Sequence, residues 1–367
     1  MLASLKRVFP RLFLLSAGAA LPVATLLLGA RVLGLAPLNE GEKGGIANYQ
    51  HLNFDDIEPL CRQGRKFHGG RNQIVTFGAS SVEGAEATYE RDFSTLLQLR
   101  LQKRFPYEWT VHNLARSAKT SFWIKRCMEI SAKDPAKFWI AYEGHNDFID
   151  IYGGGVTKTN FLLAHPWSYR LLQWLLDSSA SGWLRPFIST GAPAKNWAQL
   201  DADVRRVLAI SEANYREMIS TAQRSGVKLV LATVISNLAW EPSPAKLEGA
   251  PDGLDAPTAF KRASDAFAAK RFDEALSFYR LARDRDVNMW RAPSSFNELM
   301  RRLAAEFPGD VLLLDLERDF EKEFGREQIG CKFFGSDSYC DQLHPNDFTH
   351  AWIMRKIEQL LFPEGGK

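Results

Sequence analysis

The sequence predicts an α/β fold in which helices cover both faces of a parallel sheet. Three observations carry this. Five short apolar runs of strand length lie between residues 73 and 315, and amphipathic helical stretches separate them. That alternation builds strand–helix–strand units with parallel strands. The bulk composition, 46% hydrophobic and 24% charged over 367 residues, allows a sizeable core in one large domain or two ordinary ones.

The elements follow in order. Gln73 to Phe77 is a short apolar run before a turn at Gly78, as expected of a buried strand. Glu90 to Lys103 is amphipathic and helical, Trp109 to His112 a second strand, and Ser121 to Ala132 a helix. Lys137 to Tyr142 is a third strand. Asp203 to Ser225 is a long helix with Gly226 as its stop. Lys228 to Val234 and Val311 to Asp315 are the fourth and fifth strands. The last helix runs from about Asp347 to Leu361, with Pro345 just before it. In such sheets ligands bind beyond the carboxyl ends of the strands. Three loops therefore matter most: 78–84, 113–121 and 144–148.

The N-terminus has another character. Lys6, Arg7 and Arg11 precede an apolar run from Leu12 to Ala30. At 1.5 Å per residue such a run spans roughly 28 Å, the thickness of a bilayer core. The small-residue site Gly34-Leu35-Ala36 is followed by Pro37, which disfavours cleavage. We expect a retained anchor: residues 1–38 form a cytoplasmic stub and transmembrane segment, contacting membrane through 12–35. Residues 39–72 are a juxtamembrane linker, and a folded domain occupies 73–363. The basic residues before the run place the N-terminus in the cytoplasm and the domain outside it, on the periplasmic side of the inner membrane in a bacterium. With 46 basic and 43 acidic residues the net charge is only +3, which gives no footing for nucleic acid.

Export suits the four cysteines. Cys331 and Cys340 lie close together in a Gly- and Ser-containing stretch, and an oxidising compartment favours a disulfide between them. Cys61 and Cys127 either form a second bridge or remain buried thiols. Two inserts interrupt the strand–helix pattern. Residues 149–200 hold a Gly-rich turn and a segment rich in Leu and Trp, expected as core or subsite wall. Residues 240–306 read as two or three helices. Within them Phe272, Ala275, Tyr279 and Ala282 share one helical face, as in the second helix of a tetratricopeptide repeat. A solenoid needs about three copies, so an amphipathic helix packed on the main domain is the simpler expectation. A protein partner would use 256–306.

Three short segments carry chemistry. Ser80 follows Phe77-Gly78-Ala79 at a strand-to-helix turn, where a hydroxyl is exposed near first-turn amides; a helix cap would look the same. Asp341 and His344 occur in Asp341-Gln342-Leu343-His344-Pro345. A serine needs a base within reach, and an imidazole base needs a carboxylate to hold its tautomer. Asn146, in Gly144-His145-Asn146-Asp147, follows the third strand, where its amide could donate to an oxyanion.

Gly-x-Ser after strand one, Asn113 after strand two, Gly-x-Asn-Asp after strand three and a late Asp-x-x-His occur here in that order. This resembles the SGNH/GDSL hydrolase family over residues 73–148, 203–234 and 311–361. The resemblance implies a flavodoxin-like three-layer sandwich around a five-stranded parallel sheet. It makes Ser80 the nucleophile, His344 the base and Asp341 its orienter. The oxyanion donors become the Ser80 N–H, the Ala118 N–H and the Asn146 side chain. It implies no metal or organic cofactor. The chain departs from the family pattern at Ala79, where Asp is common, and at Ala118, where the family has glycine. An alanine there is strained if the loop needs φ > 0. Ser81 stands beside Ser80, which is chosen for its spacing from Gly78. His145 touches substrate or lies at the surface. The expected activity is hydrolysis of acyl or acetyl esters on a small molecule, glycan or lipid. The alternatives are acyl transfer to a carbohydrate by the same triad, or a non-catalytic envelope scaffold.

Overall fold

The computed structural model describes residues 61, 72–134, 136–149, 194, 196–327 and 330–363. The predicted anchor, the linker apart from Cys61 and Asn72, and most of the insert 149–200 lie outside them. Among the described residues no helix is long and apolar enough to cross a membrane.

Five strands form one parallel sheet: β1 (Asn72–Gly78), β2 (Trp109–Asn113), β3 (Phe138–Tyr142), β4 (Lys228–Ala232) and β5 (Val311–Leu314), in the order β2-β1-β3-β4-β5. Val75 of β1 stands opposite His112 of β2 and Trp139 of β3, and Leu231 of β4 opposite Leu313 of β5. The central strands are apolar because helices cover both faces; Phe77, Trp139, Ile140 and Leu231 are buried. Phe77 and Trp139 meet edge to face at 5.7 Å.

Between the strands lie α1 (Ser80–Glu83), α2 (Phe93–Arg104), α3 (Ser121–Ser131), α4 (His145–Phe148) and α5 (Trp197–Arg224). After β4 come α6 (Ala256–Ala268), α7 (Phe272–Asp284) and α8 (Ser294–Glu306), and after β5 α9 (Leu316–Phe324) and α10 (Asp347–Leu361). Side chains set several starts. Asp92 accepts from the N–H groups of Ser94 and Thr95, so α2 begins at Phe93 and not at Glu90. Asn196 accepts from Gln199 N–H, which starts α5 six residues before the expected Asp203.

The insert 240–306 holds three helices. On α7, Ala275, Tyr279 and Ala282 are buried as their spacing predicts, and Tyr279 meets Phe260 of α6 at 5.4 Å. The insert is tied to the main domain by charge as well as by packing. Buried Arg283 reaches Asp284 at 2.9 Å and Glu317 at 3.3 Å, while Arg301 pairs with Asp315 and Glu317. Arg283 and Glu317, both buried, are thus opposite partners, without which burial would be costly.

One element was not expected. Before α10 the chain forms an antiparallel hairpin of β6 (Phe334–Ser336) and β7 (Tyr339–Pro345). Cys331, just before β6, is bridged to Cys340 beside the hairpin turn, and Cys61 is bridged to Cys127 of α3. Both cysteine pairs considered from sequence are thus joined.

Candidate active site

Ser80 is the first residue of α1, at the carboxyl end of β1. Gly78 is needed there, because a Cβ would lie 2.2 Å from Val82 Cγ2 and 2.6 Å from Tyr142 O. The absent side chain lets α1 fold back over the strand ends. As a first-turn residue, Ser80 has a backbone N–H with no intrahelical acceptor.

Asp341 and His344 lie on β7, so the two residues predicted as acid and base sit on a strand and not in a simple turn. His344 Nδ1 is 3.0 Å from Asp341 Oδ2, and Nε2 is 2.8 Å from Ser80 Oγ. A carboxylate only accepts, so Nδ1 carries the proton and Nε2 accepts from the Ser80 hydroxyl. Asp341 Oδ1 also accepts from the N–H groups of Leu343 at 2.6 Å and His344 at 2.7 Å. Burial alone would raise the Asp341 pKa. The hydrogen bonds from the His344 ring and the two amides outweigh it and hold the carboxyl below its ordinary value. This arrangement can take a proton from a hydroxyl as that hydroxyl attacks.

The two serines differ in burial and in partner. Ser81 is buried and its hydroxyl donates to Leu343 O at 3.4 Å, away from the imidazole.

The other two loops lie beside Ser80 because β2 and β3 flank β1. Asn113 Nδ2 donates to Val82 O at 2.8 Å and Asn113 Oδ1 accepts from Ala115 N–H at 3.0 Å. Arg116 N–H donates to Gly78 O at 3.2 Å. These bonds pin the second loop to α1. Ala118 has φ 59°, in the left-handed region that costs an alanine strain. The family glycine is absent while the conformation that glycine serves is kept. Asn146 Nδ2 donates to Lys119 O at 3.1 Å, joining the second and third loops, and its second amide hydrogen is left for another acceptor.

The five-stranded order, three loops meeting at the ends of β2, β1 and β3, and a serine hydrogen-bonded through His344 to Asp341 are now together. This is the arrangement that the sequence's resemblance to the SGNH/GDSL hydrolases led us to expect. No family model matches the chain, and no curated protein matches it. Solved structures similar to it include the acetyl xylan esterase AlAXEase, at 14% identity and a TM-score of 0.41, covering 79% of this chain and 100% of that one. An acetylxylan esterase from Geobacillus stearothermophilus is similar at 13% identity and TM-score 0.43, covering 80% and 96%. A member of the lipolytic protein G-D-S-L family from Veillonella parvula is similar at 12% identity and TM-score 0.40, covering 79% and 98%. At such values the likeness bears on neither substrate nor reaction.

His145 corrects an expectation. It is neither at the surface nor free to meet substrate. It is buried, its Nε2 donating to Ile235 O at 3.1 Å and its Nδ1 accepting from Ala292 N–H at 3.0 Å. Burial pushes its pKa down to about 3, so it is a neutral strut between the third loop and the helical insert. Asn237, after β4, escaped notice in the sequence. Its N–H donates to Gln342 O at 3.0 Å and its Nδ2 to Asp341 O at 2.8 Å, while its own carbonyl accepts from buried Arg291 at 2.7 Å. No sequence motif marks it; only its place at a strand's carboxyl end could have drawn attention.

Among the described residues one acidic and imidazole group has metal-ligand spacing: Glu86, Asp341 and His344. The donor set does not suit an ion. Both Asp341 oxygens accept N–H groups, and the one imidazole nitrogen not facing Asp341 faces Ser80.

Proposed function

We propose that this chain is a serine ester hydrolase. The observation that carries the proposal is the continuous bond path from Ser80 Oγ through His344 to Asp341, at 2.8 and 3.0 Å. Ser80 Oγ attacks an ester carbonyl carbon and its proton passes to His344 Nε2. The imidazolium is held by Asp341 through Nδ1. The tetrahedral oxyanion is met by the N–H groups of Ser80 and Ala118 and by the Asn146 amide. Collapse breaks the C–O bond, and the alcohol leaves with the proton from Nε2. Water, deprotonated by the same nitrogen, then releases the acid and restores Ser80.

We further propose that the domain works outside the cytoplasm, anchored by residues 12–35, on acyl or acetyl esters of envelope glycans or lipids. Two disulfides support an oxidising compartment, and the apolar run 12–30 supports an anchor. The test is labelling by a fluorophosphonate probe and turnover of p-nitrophenyl acetate by the full chain in detergent. Both are expected, and both vanish in Ser80→Ala. An unlabelled wild type, indistinguishable from Ser80→Ala in turnover, would overturn the hydrolase. Fractionation with spheroplast proteolysis tests the location; a domain protected from added protease in intact spheroplasts would refute export.

A further inference from the structure

Ala118 holds a conformation that its own side chain opposes, so something outside it must hold the loop. Packing does not: Ala118 and Ser117 are both exposed. The neighbouring bonds to Gly78 O and Lys119 O fix the residues on either side, not the turn between them. Glu83 does reach that turn. One oxygen of its carboxylate, Oε2, accepts from Ser117 N–H at 2.6 Å and from Ser117 Oγ at 2.5 Å. Its other oxygen lies 4.0 Å from Arg116 Nη1. A surface ion pair is worth little, but a carboxylate taking a backbone N–H is a charge-assisted bond with fixed direction. Glu83 is also the last residue of α1, which begins at Ser80. The serine and the brace therefore share one short helix, closed by Gly84 N–H on Ser80 O at 3.0 Å.

We propose that Glu83 is a positioning residue that holds Ala118 at φ > 0, so that its N–H stays aimed at the oxyanion formed on Ser80. This rests on the hydrolase proposal above and adds to it a residue that touches no reacting atom. Without the brace, an alanine leaves the left-handed region, a shift of about fivefold to thirtyfold in population. The oxyanion donor is lost in the same proportion, while substrate binding in the ground state is not.

The experiment is a double-mutant cycle on p-nitrophenyl acetate. Glu83→Ala is expected to lower kcat about tenfold with KM unchanged. Glu83→Gln keeps an acceptor and loses less. In an Ala118→Gly background, where φ > 0 carries no penalty, the loss on Glu83→Ala is expected to shrink to about threefold or below. An equal loss in both backgrounds, a loss in KM alone, or no loss would overturn the proposal. A crystal structure of Glu83→Ala reads the same point without turnover. Ala118 should leave the positive-φ region; an unmoved Ala118 would overturn the brace even if the chain proved inactive. An inactive wild type with an intact brace would count against the hydrolase alone.

Discussion

Removing each disulfide separately, as paired serine substitutions, is expected to divide stability from catalysis. The two bridges close loops of different length, with sequence separations of 66 for Cys61–Cys127 and 9 for Cys331–Cys340. In the chain-entropy account these contribute roughly 4.4 and 2.7 kcal/mol at 25 °C. At roughly 2 °C per kcal/mol for a chain of this size, Tm falls by about 9 °C without the first bridge and about 5 °C without the second. Turnover should follow the opposite order. Cys340 precedes Asp341 on β7, and Asn237 Nδ2 donates both to Cys340 Sγ at 3.3 Å and to Asp341 O at 2.8 Å. Opening that bridge frees the turn end of β7, the strand that carries Asp341 and His344. A misplacement of about 1 Å costs on the order of a hundredfold in rate. The Cys61–Cys127 bridge lies on α3, whose residues make none of the triad's bonds. The assay is p-nitrophenyl acetate turnover at 25 °C beside a calorimetric melt of each variant. Unchanged kcat without Cys331–Cys340, or equal rate losses in both variants, would refute the reasoning.

Three further outcomes follow from the same geometry. Asp341→Asn can present an N–H to His344 Nδ1 and favour the wrong tautomer; kcat should fall about 10³- to 10⁴-fold with the circular dichroism spectrum unchanged, and a loss below tenfold would show that Asp341 does not orient the base. Glu143 is buried, and burial with Asp147 beside it raises its pKa well above the ordinary value. The folded chain then keeps a proton that the unfolded chain releases above about pH 4, so stability is full below that pH and is lost as pH rises toward the folded pKa. The Tm of Glu143→Gln should therefore gain on wild type between about pH 5 and 8, and a constant difference would refute the sign. A Cβ on Gly144 would lie 2.3 Å from Phe296 Cε1, in a ring held by Phe148 and Tyr215. Gly144→Ala should cost about 1–3 kcal/mol in urea unfolding, with Phe296→Leu recovering part of it; no cost would mean that the ring moves freely.

The sheet was legible because its central strands are buried on both faces and so read as apolar runs; Phe138–Tyr142 and Lys228–Ala232 fall within the runs predicted. Ser80, Asp341 and His344 were legible because residue type and order carry them, and the structure brings them into contact. The β6–β7 hairpin was not, since Phe334–Ser336 is too short for periodicity and β7 holds Asp, Gln and His in place of an alternating pattern. Helix starts were misread where a cap lies outside the periodic stretch, as at Asn196. The burial of His145 depends on Ile235 and Ala292, distant in sequence, and no local pattern can report a partner 90 or 147 residues away. Glu83 is an ordinary helical acid in the sequence; only the fold brings Ser117 to it.

Ser80 and His344 meet across a separation of 264 residues. β5 and the β6–β7 hairpin must be in place before the imidazole has its serine, and both come late in the chain. Any shorter nascent or truncated product can contain the whole first half of the sheet and still lack a base. Under the proposed mechanism a growing chain is thereby inert, because the serine has a base only once the chain extends through His344.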